Sequence, residues 1–228
     1  MGRNVLILMT LSLAASVAVP ETVKYYDWDG NDVITAERAE VVKHQEITYD
    51  DEGHEVSKVY LNAVGKPVNC RGVQAIEWEY DSRGNKLNET RWRADGQPSD
   101  YYGVHKVEWT YDAVGNKTAE AHFGVGGEAV WVGGSYHRRE TTYDSAGNLT
   151  YSGYFGPDGE PVYYDGGHRN VYTYFLGDKT SERYYGPGDK PIKKDGVHEI
   201  KYGYNAEGVE ESKAYYGLEG EPVTDARG

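Results

Sequence analysis

The chain has 228 residues and a formal net charge of −13, with 38% hydrophobic and 27% charged residues. So acidic a balance argues against nucleic acid and anionic membrane surfaces as partners and favours solubility. A single cysteine, Cys70, excludes a disulfide-stapled scaffold, while 22 Tyr and 29 Gly favour an all-β chain of half-buried strands and glycine turns.

Residues 1–18 carry Arg3, the apolar run Val5-Leu6-Ile7-Leu8-Met9 and the small residues Ser16-Val17-Ala18. This is the outline of a secretory signal peptide, with cleavage expected near Ala18. The apolar run is short for a membrane-spanning helix, Glu21 and Lys24 follow it, and no cysteine stands after it to carry a lipid. The protein is therefore expected to be exported, to the periplasm, the medium or the cell surface, with no membrane insertion once the signal is removed.

Residues 19–48 form an entry half-repeat and cap. Tyr25-Tyr26-Asp27-Trp28-Asp29-Gly30 lines up with the later Tyr154-Phe155-Gly156-Pro157-Asp158-Gly159, so the chain enters in the second half of a unit. Residues 35–43 have helical composition and predict a short N-terminal helical cap. The segment from Asp27 to Arg38 also resembles an EF-hand calcium loop. Asp27, Asp29 and Asn31 supply oxygens at its first, third and fifth positions, and Ile34 takes the hydrophobic place. It departs where Asp32 replaces the glycine of the sharp turn and where Arg38 replaces the bidentate glutamate, with Glu37 one place early. Calcium on Asp27, Asp29, Asn31 and Glu37 is thus the candidate metal, beside a plain acidic turn; the sequence calls for no other cofactor.

Residues 49–228 are tandem repeats ending in a half-repeat. Tyr-Asp-x-x-Gly-Asn occurs intact at Tyr80, Tyr111 and Tyr143, and in part at Tyr49 and Tyr204. The spacings are 31, 31, 32 and 61 residues, and a worn copy at Tyr174 divides the last. Asp accepts hydrogen bonds from the backbone beyond it and Gly takes a left-handed conformation, so each copy predicts a hairpin turn. The strand entering it alternates, as in His105, Val107, Trp109 and Tyr111 against Lys106, Glu108 and Thr110, which predicts a half-buried strand with the first set on the core. The returning strand places Ala119, Ala121 and Phe123 on one side and Glu120 and His122 on the other. A second turn of the type Gly156-Pro157-Asp158-Gly159-Glu160-Pro161 follows, and then a loop carrying Gly72, Gly103, Gly166 or Gly196. A lone hairpin of this size is not stable, so neighbours share a core, and the prediction is an elongated β-meander or solenoid-like array.

Two columns run across the units. His105, His137, His168 and His198 fall on the core side and read as structural histidines rather than metal ligands. Tyr60, Arg91, His122, Tyr154, Tyr184 and Tyr215 fall on the other side of the returning strands. An exposed row of such side chains would stack on sugars or anchor a protein, which makes them the candidate ligand-binding residues. No catalytic residues are assigned: Glu77 with Glu79, and Glu108 near Asp112, are paired carboxylates without a predicted pocket, and no nucleophile elbow or phosphate-binding loop occurs.

The stretch Tyr143-Asp144-Ser145-Ala146-Gly147-Asn148-Leu149-Thr150, with Pro157-Asp158-Gly159 after it, resembles the YD-repeat family, the Rhs-type surface and toxin proteins. The resemblance covers residues 45–220 and implies secretion and β-hairpin repetition. The period is longer here and each unit adds the Gly-x-Pro turn and the Gly-x-His loop. A second resemblance is to Tyr- and Gly-rich cell-wall-binding repeats. The reading is a secreted or cell-surface, non-enzymatic repeat protein that binds a protein or a glycan through a sheet face. The alternative is a structural spacer or a fragment of a larger YD-repeat-type surface or toxin protein.

Overall fold

The computed structural model describes residues 22–27, 33–34, 43–164 and 166–224. Fifteen strands lie there: β1 (Thr22–Asp27), β2 (Val33–Ile34), β3 (His44–Tyr49), β4 (Glu55–Leu61), β5 (Ala75–Tyr80), β6 (Lys86–Trp92), β7 (Lys106–Tyr111), β8 (Lys117–Phe123), β9 (Arg138–Tyr143), β10 (Leu149–Phe155), β11 (Arg169–Phe175), β12 (Asp178–Tyr185), β13 (Glu199–Tyr204), β14 (Glu210–Tyr216) and β15 (Pro222–Val223). All belong to one open antiparallel sheet whose order follows the chain from β3 to β15, with β1 between β3 and β2 at the other end. The all-β meander expected from the repeats is the fold. The predicted signal peptide and helical cap lie outside the described residues; among those described, the single helical turn is Pro187–Asp189.

Each Tyr-Asp turn is a closed hydrogen-bonded loop. Asp81 N–H donates to Asn85 O at 2.9 Å and Gly84 N–H to Asp81 O at 3.0 Å. One carboxylate oxygen of Asp81 accepts the N–H of Arg83 and of Asn85, and the other accepts the Asn85 side-chain amide, all at 2.9 Å. Asp112 and Asp144 repeat the set with Asn116 and Asn148. In the first unit His54 replaces Asn, and its Nδ1 lies 2.9 Å from Asp50 Oδ2, in the place of that amide. The Asn side-chain and backbone donors hold the carboxyls of Asp81, Asp112 and Asp144 below their ordinary value of 3.8. A carboxyl lowered on folding stabilises above its unfolded value and loses that contribution as pH falls through the folded one. The melting temperature is therefore expected to drop as pH falls from above 3.8 through the acid range. Changing all three Asp to Ser, which still accepts backbone donors but does not titrate, should flatten that drop. An equally steep drop in the triple variant would remove these turns from the acid response.

Immediately after each turn the returning strand carries one extra residue. Tyr111 pairs with Lys117 and Thr110 with Ala119, which leaves Thr118 as a bulge, and a register shift recurs at each of the other five such hairpins. A single inserted residue exchanges the two faces of the strand beyond it. Val107 therefore stands opposite His122 and Trp109 opposite Glu120, while Ala121 faces Glu108. The shared face holds Ile47, Trp78, Val107, Tyr154 and Tyr184, all buried. The other face carries polar ladders such as Lys106 with Glu108, Arg138 with Glu140, and Thr142 with Thr150.

The bulge also builds a recurrent polar clasp. Lys117 and Glu120, three apart, would face opposite ways in a regular strand. Here Lys117 Nζ lies 2.9 Å from Glu120 Oε2, and the Trp109 indole N–H donates to the same oxygen at 2.8 Å. Burial raises the Glu120 pKa, but the donors from Trp109 and Lys117 outweigh it and hold the carboxyl below the usual value. Trp78 donates to Glu89 at 2.9 Å with the Lys86 ammonium 4.7 Å from an indole ring centre, and Lys179 binds Glu182 at 2.8 Å between the rings of Tyr172 and Tyr202. Such partners are what allow a half-buried carboxylate.

The link between units folds back along the returning strand. Val68, Ser99, Val130, Val162 and Ile192 each donate from the backbone to Tyr60, Arg91, His122, Tyr154 and Tyr184 in turn. A two-residue turn follows, with both central residues at positive φ: Arg71 (53°) and Gly72 (91°), Tyr102 (53°) and Gly103 (80°), Asp195 (52°) and Gly196 (87°). These angles are those of the tight hairpin connection. The next residue, Val73, Val104 or Val197, is buried at 6%, 2% and 2% exposure.

Candidate functional site

The column of Tyr60, Arg91, His122, Tyr154, Tyr184 and Tyr215 is not the exposed stripe that strand alternation predicts. The bulges turn it onto the buried face, and the links fold over it. His122 and Tyr154 are 6% exposed and Tyr184 is 4%. The Tyr154 ring lies 5.3 Å from that of Tyr136 and 4.9 Å from that of Tyr164, both contributed by links. His122 Nδ1 sits 2.8 Å from His137 O, and Tyr184 donates its hydroxyl to Glu182 at 2.9 Å beneath the Lys194 ammonium. Burial, then the Glu182 charge, pushes the Tyr184 phenol well above its ordinary pKa. Tyr215 is part-exposed and faces Val223 of β15.

The first two members, Tyr60 and Arg91, open onto a cleft. Its volume is about 550 Å³, and it is lined by Gln45, Lys58, Tyr60, Ile76, Glu89 and Arg91 from the sheet and by Cys70, Arg71, Val73 and Tyr101 from two links. Register explains the floor: Gln45 stands opposite Tyr60, Lys58 opposite Ile76, and Ile76 opposite Arg91, so β3 to β6 present these side chains on one face. Arg71 and Tyr101 complete the lining from the two links. Three cations and one carboxylate make this lining positive in an acidic protein. That carboxylate is engaged: Glu89 Oε1 takes Arg91 Nη2 at 2.7 Å and Nε at 2.8 Å, while Oε2 takes the Trp78 indole. Arg91 also lies 6.0 Å from the Tyr101 ring centre. Burial, then the neighbouring Cys70 and Glu89, raises the Tyr60 phenol pKa, so its hydroxyl stays a neutral donor. Two aromatic rings beside guanidinium groups suit a flat ligand edged with carboxylate or sulfate oxygens. Cys70 is a free thiol within this lining.

The four column histidines have structural places. Phe123 meets His137 at 5.3 Å, Phe155 meets His168 at 5.1 Å, Tyr185 meets His198 at 5.5 Å and Trp92 meets His105 at 5.3 Å, all edge-on. Nδ1 of His137, His168 and His198 lies within 2.7 to 3.1 Å of a backbone carbonyl. Burial holds the His137 imidazole below its ordinary pKa, which keeps it neutral. Of the calcium candidates, Asp27 ends β1, and Asp29, Asn31 and Glu37 lie outside the described residues. Asp50, Glu52 and His54 bring ligand-type atoms within 4.8 Å of one another. Their grouping follows from the turn in which His54 substitutes for Asn, with its ring stacked 4.7 Å from that of Tyr80. Glu77 accepts from the Trp92 indole at 2.9 Å, and Glu108 pairs with Lys106.

No family model matches the chain, and no curated protein does. Among solved structures it is similar to TcdB2-TccC3-TEV, at 16% identity and a TM-score of 0.37 over 76% of this chain and 9% of that one. It is also similar to TcdB2-TccC3 without its hypervariable C-terminal region, at 13% identity and a TM-score of 0.31 over 77% of this chain and 10% of that one. The chain thus spans about a tenth of the length of the structures it matches.

Proposed function

We propose that the protein is an exported, non-enzymatic repeat module, a divergent relative of the YD-repeat proteins, that binds an acidic glycan at the cell surface through the cleft over β3 to β6. The observation that carries this reading is the pairing of Tyr60 and Tyr101 with Lys58, Arg71 and Arg91 around a carboxylate that is already engaged. The expected ligand is a short oligosaccharide of uronate or sulfated sugars, its rings against Tyr101 and its anions on the guanidinium groups. Calorimetric titration with oligogalacturonate should show saturable binding that a neutral oligosaccharide of equal length does not reproduce. Arg71 is exposed at positive φ, which Asn tolerates, so Arg71→Asn spares the fold and should weaken binding about tenfold, as should Tyr101→Ala. Equal affinity in both variants, or equal binding of the neutral sugar, would assign the ligand elsewhere.

A further inference from the structure

We infer that a second cavity beside the acidic-glycan cleft takes an uncharged sugar, so that the preferred ligand is a mixed chain in which a uronate stands next to a neutral residue. This rests on the reading of the first cleft as a site for uronate or sulfated sugars, and adds what the neighbouring link supplies. The second cavity has a volume of about 660 Å³ and adjoins the first, since Arg71 and Tyr101 line both. Asn69, Arg93, Asp100 and Tyr102 line the second alone. Ser99, also in its lining, is committed to the fold: it is 1% exposed and its hydroxyl donates to Gly72 O at 2.9 Å.

The two linings differ in charge. In the first, Lys58, Arg71 and Arg91 outnumber Glu89. Apart from the shared Arg71, the second is neutral, because Asp100 matches Arg93 and takes its Nη2 at 2.5 Å. The hydrogen bond from Arg93 holds the Asp100 carboxyl below its ordinary pKa, which keeps it an ionised acceptor. Such a pair does not draw in a second anion. It does keep what a sugar diol needs, since a guanidinium has five N–H groups and a carboxylate about four lone-pair sites, and one contact uses one of each. Asn69 adds a donor in its amide nitrogen, its Oδ1 being committed to Ala94 N–H at 2.9 Å. Tyr102 adds a ring that a sugar can cover: it is 79% exposed and set edge-on to Tyr101, with centroids 4.4 Å apart.

The repeat itself demands neither Arg93 nor Tyr102. Arg93 N–H closes a turn that Gly124, Gly156, Gly186 and Gly217 close in the later units, so the guanidinium is an addition peculiar to this one. Tyr102 lies at a φ of 53°, where Asn and Asp are the usual side chains and a bulky residue is an outlier; Asp195 takes the corresponding place in a later link. An exposed ring kept in a sparse backbone conformation is what a contact with a ligand explains and packing does not.

The test is calorimetric titration of the full chain with two tetrasaccharides, one of galacturonate alone and one of glucuronate alternating with N-acetylglucosamine. The alternating chain should bind about tenfold more tightly although it carries half the charge. Tyr102→Asn keeps the turn conformation, and Arg93→Gly installs the residue of the later units, so both spare the fold. Each should remove the preference for the alternating chain, and Tyr102→Asn should leave galacturonate binding within about twofold of the parent. Arg71→Asn should weaken both chains. Equal or weaker binding of the alternating chain, or a preference that survives both Tyr102→Asn and Arg93→Gly, would overturn the second subsite and leave the acidic-glycan cleft standing. Binding of neither chain would remove the cleft and the subsite together.

Discussion

Tyr154→Ala is expected to destabilise the protein by about 3–5 kcal/mol, the range for removing a buried aromatic side chain from a packed site. The ring is 6% exposed and stands between Tyr136 and Tyr164, and the backbone of the same residue ties β10 to the link at Val162 and to the next unit at His168. A stripe residue on an open face would cost less than about 0.5 kcal/mol, so the size of the effect separates the two placements. Because units in a chain-ordered array touch mainly their neighbours, the loss should be local. Amide exchange is expected to quicken in β9 to β11 while β4 to β6 keep their protection. Tyr154→Phe, which keeps the ring and drops only the hydroxyl, should stay within about 1.5 kcal/mol of the parent. A Tyr154→Ala variant with an unchanged urea midpoint would refute the bulge-driven inversion of the returning strands.

Val104→Asp should be at least as damaging, by about 4 kcal/mol or more, because it places a carboxylate where Val is 2% exposed. The position follows the tight turn at Tyr102 and Gly103 and is bridged to Tyr101, whose ring belongs to the cleft. Loss of fold at this join and loss of ligand at the cleft should therefore appear together. Val114→Asp is the control: Val114 is 83% exposed in a Tyr-Asp turn, and its change should fall within about 0.5 kcal/mol. Denaturant midpoints for the pair give the comparison. A Val104→Asp variant as stable as the control would mean that the links do not close over the sheet.

The repeat period, the turns and the strands were legible because each has a local cause. Asp, Gly and Asn at fixed offsets make a turn whatever lies around them, and alternation reports one face against another. The face of the returning strand was not legible, since counting residues from the turn assumes one residue per rung, and a bulge breaks that count without a glycine or proline to announce it. Its trace lies in the spacing of Lys86 and Glu89, Lys117 and Glu120, and Lys179 and Glu182. Opposite charges three apart cannot meet on a regular strand, and their recurrence pointed to the extra residue. The same error carried His122, Tyr154 and Tyr184 from the core to an imagined surface. Tyr60 and Arg91 reached the cleft, but their partners Arg71 and Tyr101 come from links that fold back over the sheet, and the recurrence of Val73, Val104 and Val197 was the one sign that those links are anchored.

The strand order has a mechanical consequence. Among the described residues β2 and β15 form the two edges of the sheet, so a pull applied between them acts across the strands rather than along them. The rungs of one hairpin then carry the load one after another, as teeth of a zip do, instead of sharing it as a sheared pair would. Such a sheet yields at low force in discrete steps, each releasing one period of chain, and what remains keeps its register and can close again when the tension falls.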